Sequence, residues 1–495
     1  MMSLGEQDRL LSGWRALKGR EGRADQAGPP TPPPAPERRA GVLRDKPLLL
    51  IVTAGIVVRA LLLGWFQGEP LHIDDEWSYH SIARNLVQRG EFAETPGVPT
   101  SLRPPLYPAV VAAVYRGFGL ENYQAVRVLQ AALSLVMVLV VYLLARETYS
   151  RRAALWAVAI CCFYPSLLVF NNLLLTEALF AVFLALVCLM VQRFLKTGSL
   201  VPAGLAGLCL GLGALTRSVV WLFPPFLAVF LALAAHSAWP RRLLAVALAL
   251  GVFAAVIAPW SIRNTRLQET FTVIDVMGGR NLMMGNYEYT PLHRPWDAIS
   301  ASGEKAWYRV LDKSLPGSAK MTQGQRDKAA MRYGLRFMAA NPGLTAQRCL
   351  VKFFHFWQLD RPVIAGLARG WWGHLSKPAL VVVALLILGS QAAALIAAIF
   401  GFLVVRPTDR SMKWFLLLLV AFIAAMHTVV FAHSRYSLPL MPLVFIGSGA
   451  AMANAGATWR QRRSWRFRLA VGMAIVLVCA WLAEIFLIDL GQLRG

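Results

Sequence analysis

Asp74, Asp75 and Glu76 stand side by side in His72-Ile-Asp-Asp-Glu-Trp-Ser-Tyr-His80, just after a long apolar run, in a chain with 26 acidic residues against 50 basic ones. Adjacent carboxylates repel one another and bury badly. At the edge of a membrane segment they need a reason to be there, and proton-transfer chemistry is one. A helix cap is another, because a carboxylate at a helix start accepts free amide hydrogens. That role suits Asp74 or Asp75 and leaves the other acids unexplained. Downstream, Tyr79, Ile82, Ala83 and Leu86 follow i, i+3, i+4, i+7 spacing, which predicts a short amphipathic helix lying on the membrane surface.

Other polar residues sit where apolar runs end or within the two long loops, Arg103 after the acidic helix. Arg103 lies in Ser101-Leu-Arg-Pro-Pro-Leu-Tyr-Pro108, Glu177 closes Asn171-Asn-Leu-Leu-Leu-Thr-Glu177, and Arg217 follows Leu215-Thr216. Arg263 and Asn264 end Pro259-Trp-Ser-Ile-Arg-Asn264, Asn281 and Asn286 fall in Gly278-Gly-Arg-Asn-Leu-Met-Met-Gly-Asn286, and His433-Ser-Arg-Tyr436 supplies His433, Arg435 and Tyr436. One arginine at a helix end usually snorkels to lipid head groups and means little. Several beside an acidic cluster suit a phosphate, whose oxygens match the guanidinium fork.

The elements that must position these residues are membrane helices. Of the 495 residues 57% are hydrophobic and 15% charged, well below the charge content of a soluble chain. Apolar runs predict eleven spans, near 47–66, 123–145, 154–170, 173–191, 200–216, 218–235, 243–259, 377–404, 414–432, 436–455 and 469–488. The expectation is an all-α polytopic membrane protein with two long outer loops. Residues 1–46 form a proline-rich cytoplasmic tail expected to be disordered, 47–259 a first helical module with the acidic loop at 67–122, 260–376 a large outer loop, and 377–495 the last helices. The first apolar run reads as a retained signal-anchor. If the tail is inside, the short inner loops hold fifteen Lys and Arg and the short outer ones hold two, Arg217 and Arg435. That asymmetry predicts a cytoplasmic N-terminus and an outer C-terminus, and it accounts for the net charge of +24 without nucleic acid as a partner. It also puts all the polar residues above on the outer face.

With a shared face, the chemistry becomes specific. A carboxylate takes a proton from an acceptor hydroxyl or amine while arginines hold a lipid-phosphate leaving group, which amounts to sugar transfer from a lipid phosphate. A single carboxylate base with displacement at the anomeric carbon implies inversion. Five of the six cysteines lie in apolar runs, and His355, His374 and His433 fit no zinc spacing. Gly207 and Gly211 predict close helix packing, and Trp357, Trp371 and Trp372 an interfacial aromatic belt.

Over about residues 45–450 the motifs resemble the GT-C superfamily of polyprenyl-phosphate-sugar-dependent glycosyltransferases, in its protein O-mannosyltransferase-like and lipid A aminoarabinose-transferase-like branches. The resemblance rests on Asp75-Glu76-x-x-Tyr79 with Ala83-x-x-Leu86, Arg103-Pro-Pro-Leu-Tyr-Pro108, Leu175-Thr-Glu177, Leu215-Thr-Arg217, Pro259-Trp-x-x-Arg-Asn264, Asn281-x-x-x-Gly-Asn286 and Arg435-Tyr436-x-x-Pro439, in the family's order. It implies a GT-C-like bundle of about eleven transmembrane helices, with Asp75 aligned to the catalytic carboxylate, Glu76 as a supporting acid, and Asp74 as an extra acid that leaves two candidates, Asp75 and then Asp74, for the base. It further implies an outward cavity for an undecaprenyl- or dolichyl-phosphate sugar, contacted by Arg103, Arg217 and Arg435, and an acceptor that is protein, lipid or glycan. Tyr79, Glu177, Arg263, Asn264, Asn286, His433 and Tyr436 complete the expected donor site. Some branches use a divalent metal, mainly with diphosphate donors; the expectation here is monophosphate chemistry without metal or other cofactor, in a bacterial inner membrane.

Two rival functions fit parts of the pattern. A secondary transporter would place its polar sites near the bilayer midplane, often between repeated halves, and no repeat is evident here. A non-catalytic polyprenyl-phosphate binder or flippase would need the arginines but have little use for the acidic cluster.

Overall fold

The chain is described here by a computed structural model over residues 44–486, apart from 236, 372 and 374. Most of the N-terminal tail, Trp372, His374 and the C-terminal residues 487–495 lie outside the described residues. Among the described residues, eight helices are long and apolar enough to cross a bilayer: Lys46–Trp65, Tyr123–Thr148, Glu177–Thr197, Trp239–Leu267, Lys377–Leu403, Arg410–Val429, Ser434–Ala453 and Trp465–Glu484. Leu200–Thr216 and Pro224–Ala234 are shorter apolar helices. Apart from one short hairpin, Ala93–Thr95 with Val98–Pro99, the regular structure of the described residues is helical. The protein is an all-α polytopic membrane protein.

Proline explains where two of the spans are interrupted or shortened, although the span expected to end at Pro259 continues through it to Leu267. The run expected at 154–170 is two helices, Arg151–Phe163 and Pro165–Phe170, joined through an extended Tyr164. Pro165 lacks an amide hydrogen and biases Tyr164 away from helical backbone, so one helix stops and another starts. Likewise the span expected at 218–235 is helical only over Pro224–Ala234, after a single turn of 3-10 helix at Ser218–Val220.

Packing is tightest where glycines let backbones touch. A Cβ on Gly207 would lie 2.1 Å from the carbonyl oxygen of Ala249, and one on Gly211 2.8 Å from a methyl of Val256. Thus Leu200–Thr216 and Trp239–Leu267 meet along a small-residue seam, as the spacing predicts. Ser434–Ala453 is the most enclosed span, with Gly449 against the Ala153 backbone and Gly447 against Gly401. Lys46–Trp65, Trp239–Leu267 and Trp465–Glu484 are largely uncovered by protein, as lipid-facing helices are.

Two long connections carry the polar machinery. The first holds the acidic helix Asp74–Arg89, ended by Gly90 at φ 71, and the helix Leu106–Phe118. Its apolar face is turned inward and not laid on the membrane surface: Tyr79, Ile82 and Ala83 are buried, and Tyr79 meets the Tyr107 ring edge-on at 5.0 Å. Glu76 closes the helix start, not Asp74 or Asp75. Its Oε2 accepts the His72 and Ile73 amides at 2.8 and 3.2 Å, and its Oε1 accepts the Leu174 amide at 2.7 Å. The second connection contains the helices Gly278–Gly285, Gln323–Ala340 and Pro342–Phe356, with Gly279 backed against the Asp327 backbone.

Candidate functional site

The helix ends and both long connections line a single cavity of about 1200 Å³. Asp74, Asp75, Tyr79, Arg103, Arg217, His433, Arg435 and Tyr436 all line it, so the structure gathers residues spread over 360 positions of sequence.

Asp75 is its centre. Oδ1 accepts a hydrogen bond from Arg103 Nη2 at 2.6 Å, and Oδ2 accepts one from Arg435 Nη1 at 2.7 Å. Arg435 reaches on through Nε to Glu177 Oε1 at 2.6 Å, and Arg217 Nη1 approaches the same oxygen at 3.2 Å. Charges therefore alternate along Arg103, Asp75, Arg435, Glu177 and Arg217, leaving one positive charge in excess. The two acids differ in access. The Asp75 side chain is 31% exposed and that of Glu177 only 2%, so an incoming molecule can touch the first and not the second.

Aromatic rings hold the cations in place. Arg103 lies over the Tyr79 ring at 5.1 Å and gives its Nε hydrogen to Ser78 Oγ at 3.1 Å. Arg217 lies over Tyr436 at 5.2 Å. The His433 ring packs on Trp296 at 4.3 Å, and its Nδ1 accepts the Arg435 amide hydrogen at 3.1 Å. Burial, then the Arg435 charge, pushes the His433 imidazolium down to about 3, which suits a neutral ring acting as acceptor. For Asp75, burial pushes the carboxyl up, but the guanidinium of Arg435 and then that of Arg103 outweigh it and hold it well below the usual carboxylate range. Burial raises the Glu76 carboxyl, against the pull of its backbone amide donors.

Four expected site residues have other work. Arg263, Asn264 and Asn286 do not line the cavity, and Glu76 is buried against backbone amides. Arg263 donates to the Thr100 carbonyl and Asn264 Oδ1, each at 2.7 Å, while packing over Trp260 at 4.6 Å. Asn264 also bonds Ser101 Oγ at 2.9 Å and the Ile274 carbonyl at 2.8 Å. Together they shape the turn that presents Arg103. Asn286 donates to the Leu282 and Val429 carbonyls, and its Oδ1 accepts from the buried Lys352 Nζ at 3.0 Å. It ties the second connection to the end of Arg410–Val429.

Conversely, three cavity residues carried no mark in the sequence. Arg280 has no carboxylate within ion-pair distance among the described residues, lies over Trp307 at 5.5 Å, and has a buried Nε without an acceptor. Its neighbour Asn281 drew the reading because Asn is rarer there; a guanidinium in an apolar-flanked Gly-Gly-Arg turn was the available signal. Asp275 and Asp360 are cavity carboxylates that also lack a cation within ion-pair distance. Burial raises each carboxyl to about 6, with hydroxyls of Ser218 for Asp275 and of Ser166 and Ser434 for Asp360 pulling the other way. Both lie in polar stretches where one more Asp stands out from nothing. Trp371, expected in an aromatic belt, lines the cavity against Gly366.

Residues 102–262 match the family model described as dolichyl-phosphate-mannose-protein mannosyltransferase. That match bears out the resemblance to the GT-C superfamily read from the motifs. None of the curated protein sequences matches the chain. Among solved structures, the Archaeoglobus fulgidus oligosaccharyltransferase in complex with Zn and sulfate aligns at TM-score 0.48 and 14% identity, over 88% of this chain and 52% of that one. The archaeal oligosaccharyltransferase AglB from the same organism, with an inhibitory peptide and a dolichol-phosphate, aligns at 0.46 and 13%, over 89% and 55%. ArnT from Cupriavidus metallidurans bound to undecaprenyl phosphate aligns at 0.40 and 15%, over 82% and 77%. The chain spans about half the length of the archaeal enzymes.

Proposed function

We propose that this protein is a glycosyltransferase that moves a sugar from a polyprenyl-phosphate donor, undecaprenyl or dolichyl, to a protein, lipid or glycan acceptor on the outer face of the membrane. The observation that carries it is the row of guanidinium groups beside a reachable carboxylate, in a cavity lined by helix ends and the two long connections. The donor named in the family description, dolichyl-phosphate-mannose, has parts that fit this arrangement: an apolar tail for the helices, a phosphate for the arginines and a sugar for the cavity. Arg280, which has no carboxylate within ion-pair distance among the described residues and a buried Nε without an acceptor, is the natural first contact for the phosphate.

Asp75 is assigned as the general base. Held by two arginines it is a weak one, since a base so stabilised as the anion has little affinity for a proton. A donor phosphate competing for Arg103 and Arg435 loosens that hold. The acceptor O–H or N–H then attacks the anomeric carbon, its proton passes to Asp75, and the bond from that carbon to the phosphate oxygen breaks with its electron pair leaving on the phosphate. Attack opposite the leaving group inverts the anomeric centre. Guanidinium groups stabilise the growing phosphate charge, so we assign the reaction without a metal or other cofactor. Localisation in a bacterial inner membrane, with the N-terminus cytoplasmic and the site outside, completes the proposal.

Purified protein supplied with radiolabelled polyprenyl-phosphate sugars and membrane extract tests this reading. Transfer by the wild type and its loss in Asp75→Asn support it. Absence of transfer from every donor, or an Asp75→Asn variant as active as wild type, overturns it in favour of a transporter or lipid binder. A cysteine placed at position 75 should react with an impermeant reagent added outside; labelling only from the cytoplasm contradicts the orientation.

A further inference from the structure

The cavity is chemically divided. The half-buried Asp75, and Glu177 buried behind it, have their charges met by Arg103, Arg217 and Arg435. Asp275 stands beside that set but outside it. Its Oδ1 accepts the Met277 amide at 3.3 Å, it takes the hydroxyl of Ser218, and no cation lies within ion-pair distance of it among the described residues. Ser218 directly follows Arg217, so this carboxylate is anchored one residue from the guanidinium that meets Glu177.

A carboxylate has about four acceptor positions, and two donors leave the rest to be filled from the cavity. Partial burial makes unfilled positions costly, because a charge taken from water must find hydrogen bonds or a counter-ion. A phosphate cannot fill them, since like charges repel. Neutral hydroxyls can, and a sugar ring offers them in adjacent pairs. A sugar phosphate is itself divided in the same way, anionic at one end and hydroxyl-bearing at the other. The arginine set fits the first end and Asp275 the second.

We propose that Asp275, with Ser218, is the subsite that binds the hydroxyl groups of the donor sugar and so sets which sugar is accepted. This inference rests on the glycosyl-transfer reading. It makes Asp275 a specificity residue for neutral hexoses or pentoses bearing free vicinal hydroxyls. It also fixes the donor's orientation, with the anomeric carbon between the arginines and Asp275 and within reach of Asp75.

Binding separates this subsite from the phosphate site. Undecaprenyl phosphate and a panel of undecaprenyl-phosphate hexoses and pentoses are titrated against purified wild type, Asp275→Asn and Ser218→Ala in nanodiscs, with undecaprenol as the phosphate-free control. The expected result is that wild type prefers at least one sugar-bearing donor over bare undecaprenyl phosphate. Asp275→Asn should lower that preference about tenfold, and Ser218→Ala by a smaller factor, with the affinity for bare undecaprenyl phosphate not lowered in either. Undiminished affinity for the bare lipid phosphate also reports that each variant is folded. Equal losses for the bare and sugar-bearing lipids overturn the subsite, as does an unaltered preference in both variants or a wild type that prefers no sugar. Failure of wild type to distinguish undecaprenyl phosphate from undecaprenol overturns the glycosyl-transfer reading instead, and the subsite with it.

Discussion

Asp75 with Glu177 buried behind it, and Asp275 and Asp360 elsewhere in the same cavity lining, are carboxylates with opposite surroundings. The first pair is gripped by three guanidinium groups at 2.6 to 3.2 Å; the second has hydroxyl and amide donors but no cation within ion-pair distance. In the first environment the negative charge is locked in, and acidity is tuned by whatever competes for the arginines. In the second the charge is expensive to keep, and any ligand bringing hydrogen-bond donors lowers its cost. Glu76, adjacent to Asp75, follows a third pattern, its charge met by three backbone amides, and it serves the fold. What a carboxylate can do is therefore decided by its partners more than by its place in the row.

The comparison breaks most sharply at Asp75. Asp75→Asn keeps the shape but removes the proton acceptor, so the transfer rate should fall about a thousandfold in the labelled-sugar assay. The same change should tighten binding of bare undecaprenyl phosphate, because Arg103 and Arg435 no longer have a resident anion. A rate within tenfold of wild type would show that Asp75 is not the base, and weaker lipid-phosphate binding would show that the clamp does not compete with phosphate. Next comes Glu177→Gln, which leaves Arg435 and Arg217 with one buried counter-charge fewer. Loss of a partner from a buried pair costs about 3 kcal/mol, read as an earlier thermal unfolding transition. Asp360→Asn removes a charge held by hydroxyls, with no cation within ion-pair distance among the described residues. Its unfolding should stay within about 1 kcal/mol of wild type, since the amide oxygen still accepts a hydroxyl. Similar losses for the two substitutions would erase the distinction between the two surroundings.

The part of the cavity that sequence reading could see was the arginine set. Arg217, Arg435 and Glu177 are charged residues at the ends of long apolar runs and Arg103 follows the acidic helix, and that contrast makes them visible. The same contrast misled at Arg263, Asn264 and Asn286, which are equally rare and equally placed but hold backbone carbonyls. Rarity signals that a polar residue is needed, without saying whether a ligand or the chain needs it. Asp275, Arg280 and Asp360 lie in or beside the polar stretch 260–376, where only the three-dimensional path of the chain brings them to the cavity. For the helices the logic is similar. Hydropathy located the eight long spans, whereas the broken 154–170 run and the shortened 218–235 run turn on Pro165 and on Pro224, single residues that an average over a window conceals.

The smallest expected effect is also the one that separates function from folding. Burial raises the Asp275 carboxyl to about 6, helped by the charge of Asp327 and opposed by the Ser218 hydroxyl, the Met277 amide and Arg103. Its sugar-binding charge is therefore half lost near pH 6, and donor affinity should fall about twofold there relative to pH 7.5. Stability responds with the opposite sign. A carboxyl whose folded pKa lies above its unfolded value makes its full contribution to the fold below the unfolded pKa and loses it as pH rises through about 6. Asp360, also raised to about 6, acts in the same direction. Asp75, held low by Arg435 and Arg103, keeps its charge across this window and adds no step to it. From pH 7.5 to 5.5 donor binding should thus weaken while these two buried acids make unfolding harder, so the loss of binding cannot be a loss of fold. In Asp275→Asn the acid limb of donor affinity should vanish. A limb that survives there, or an unfolding temperature that drops in step with affinity, would assign the titration to another group.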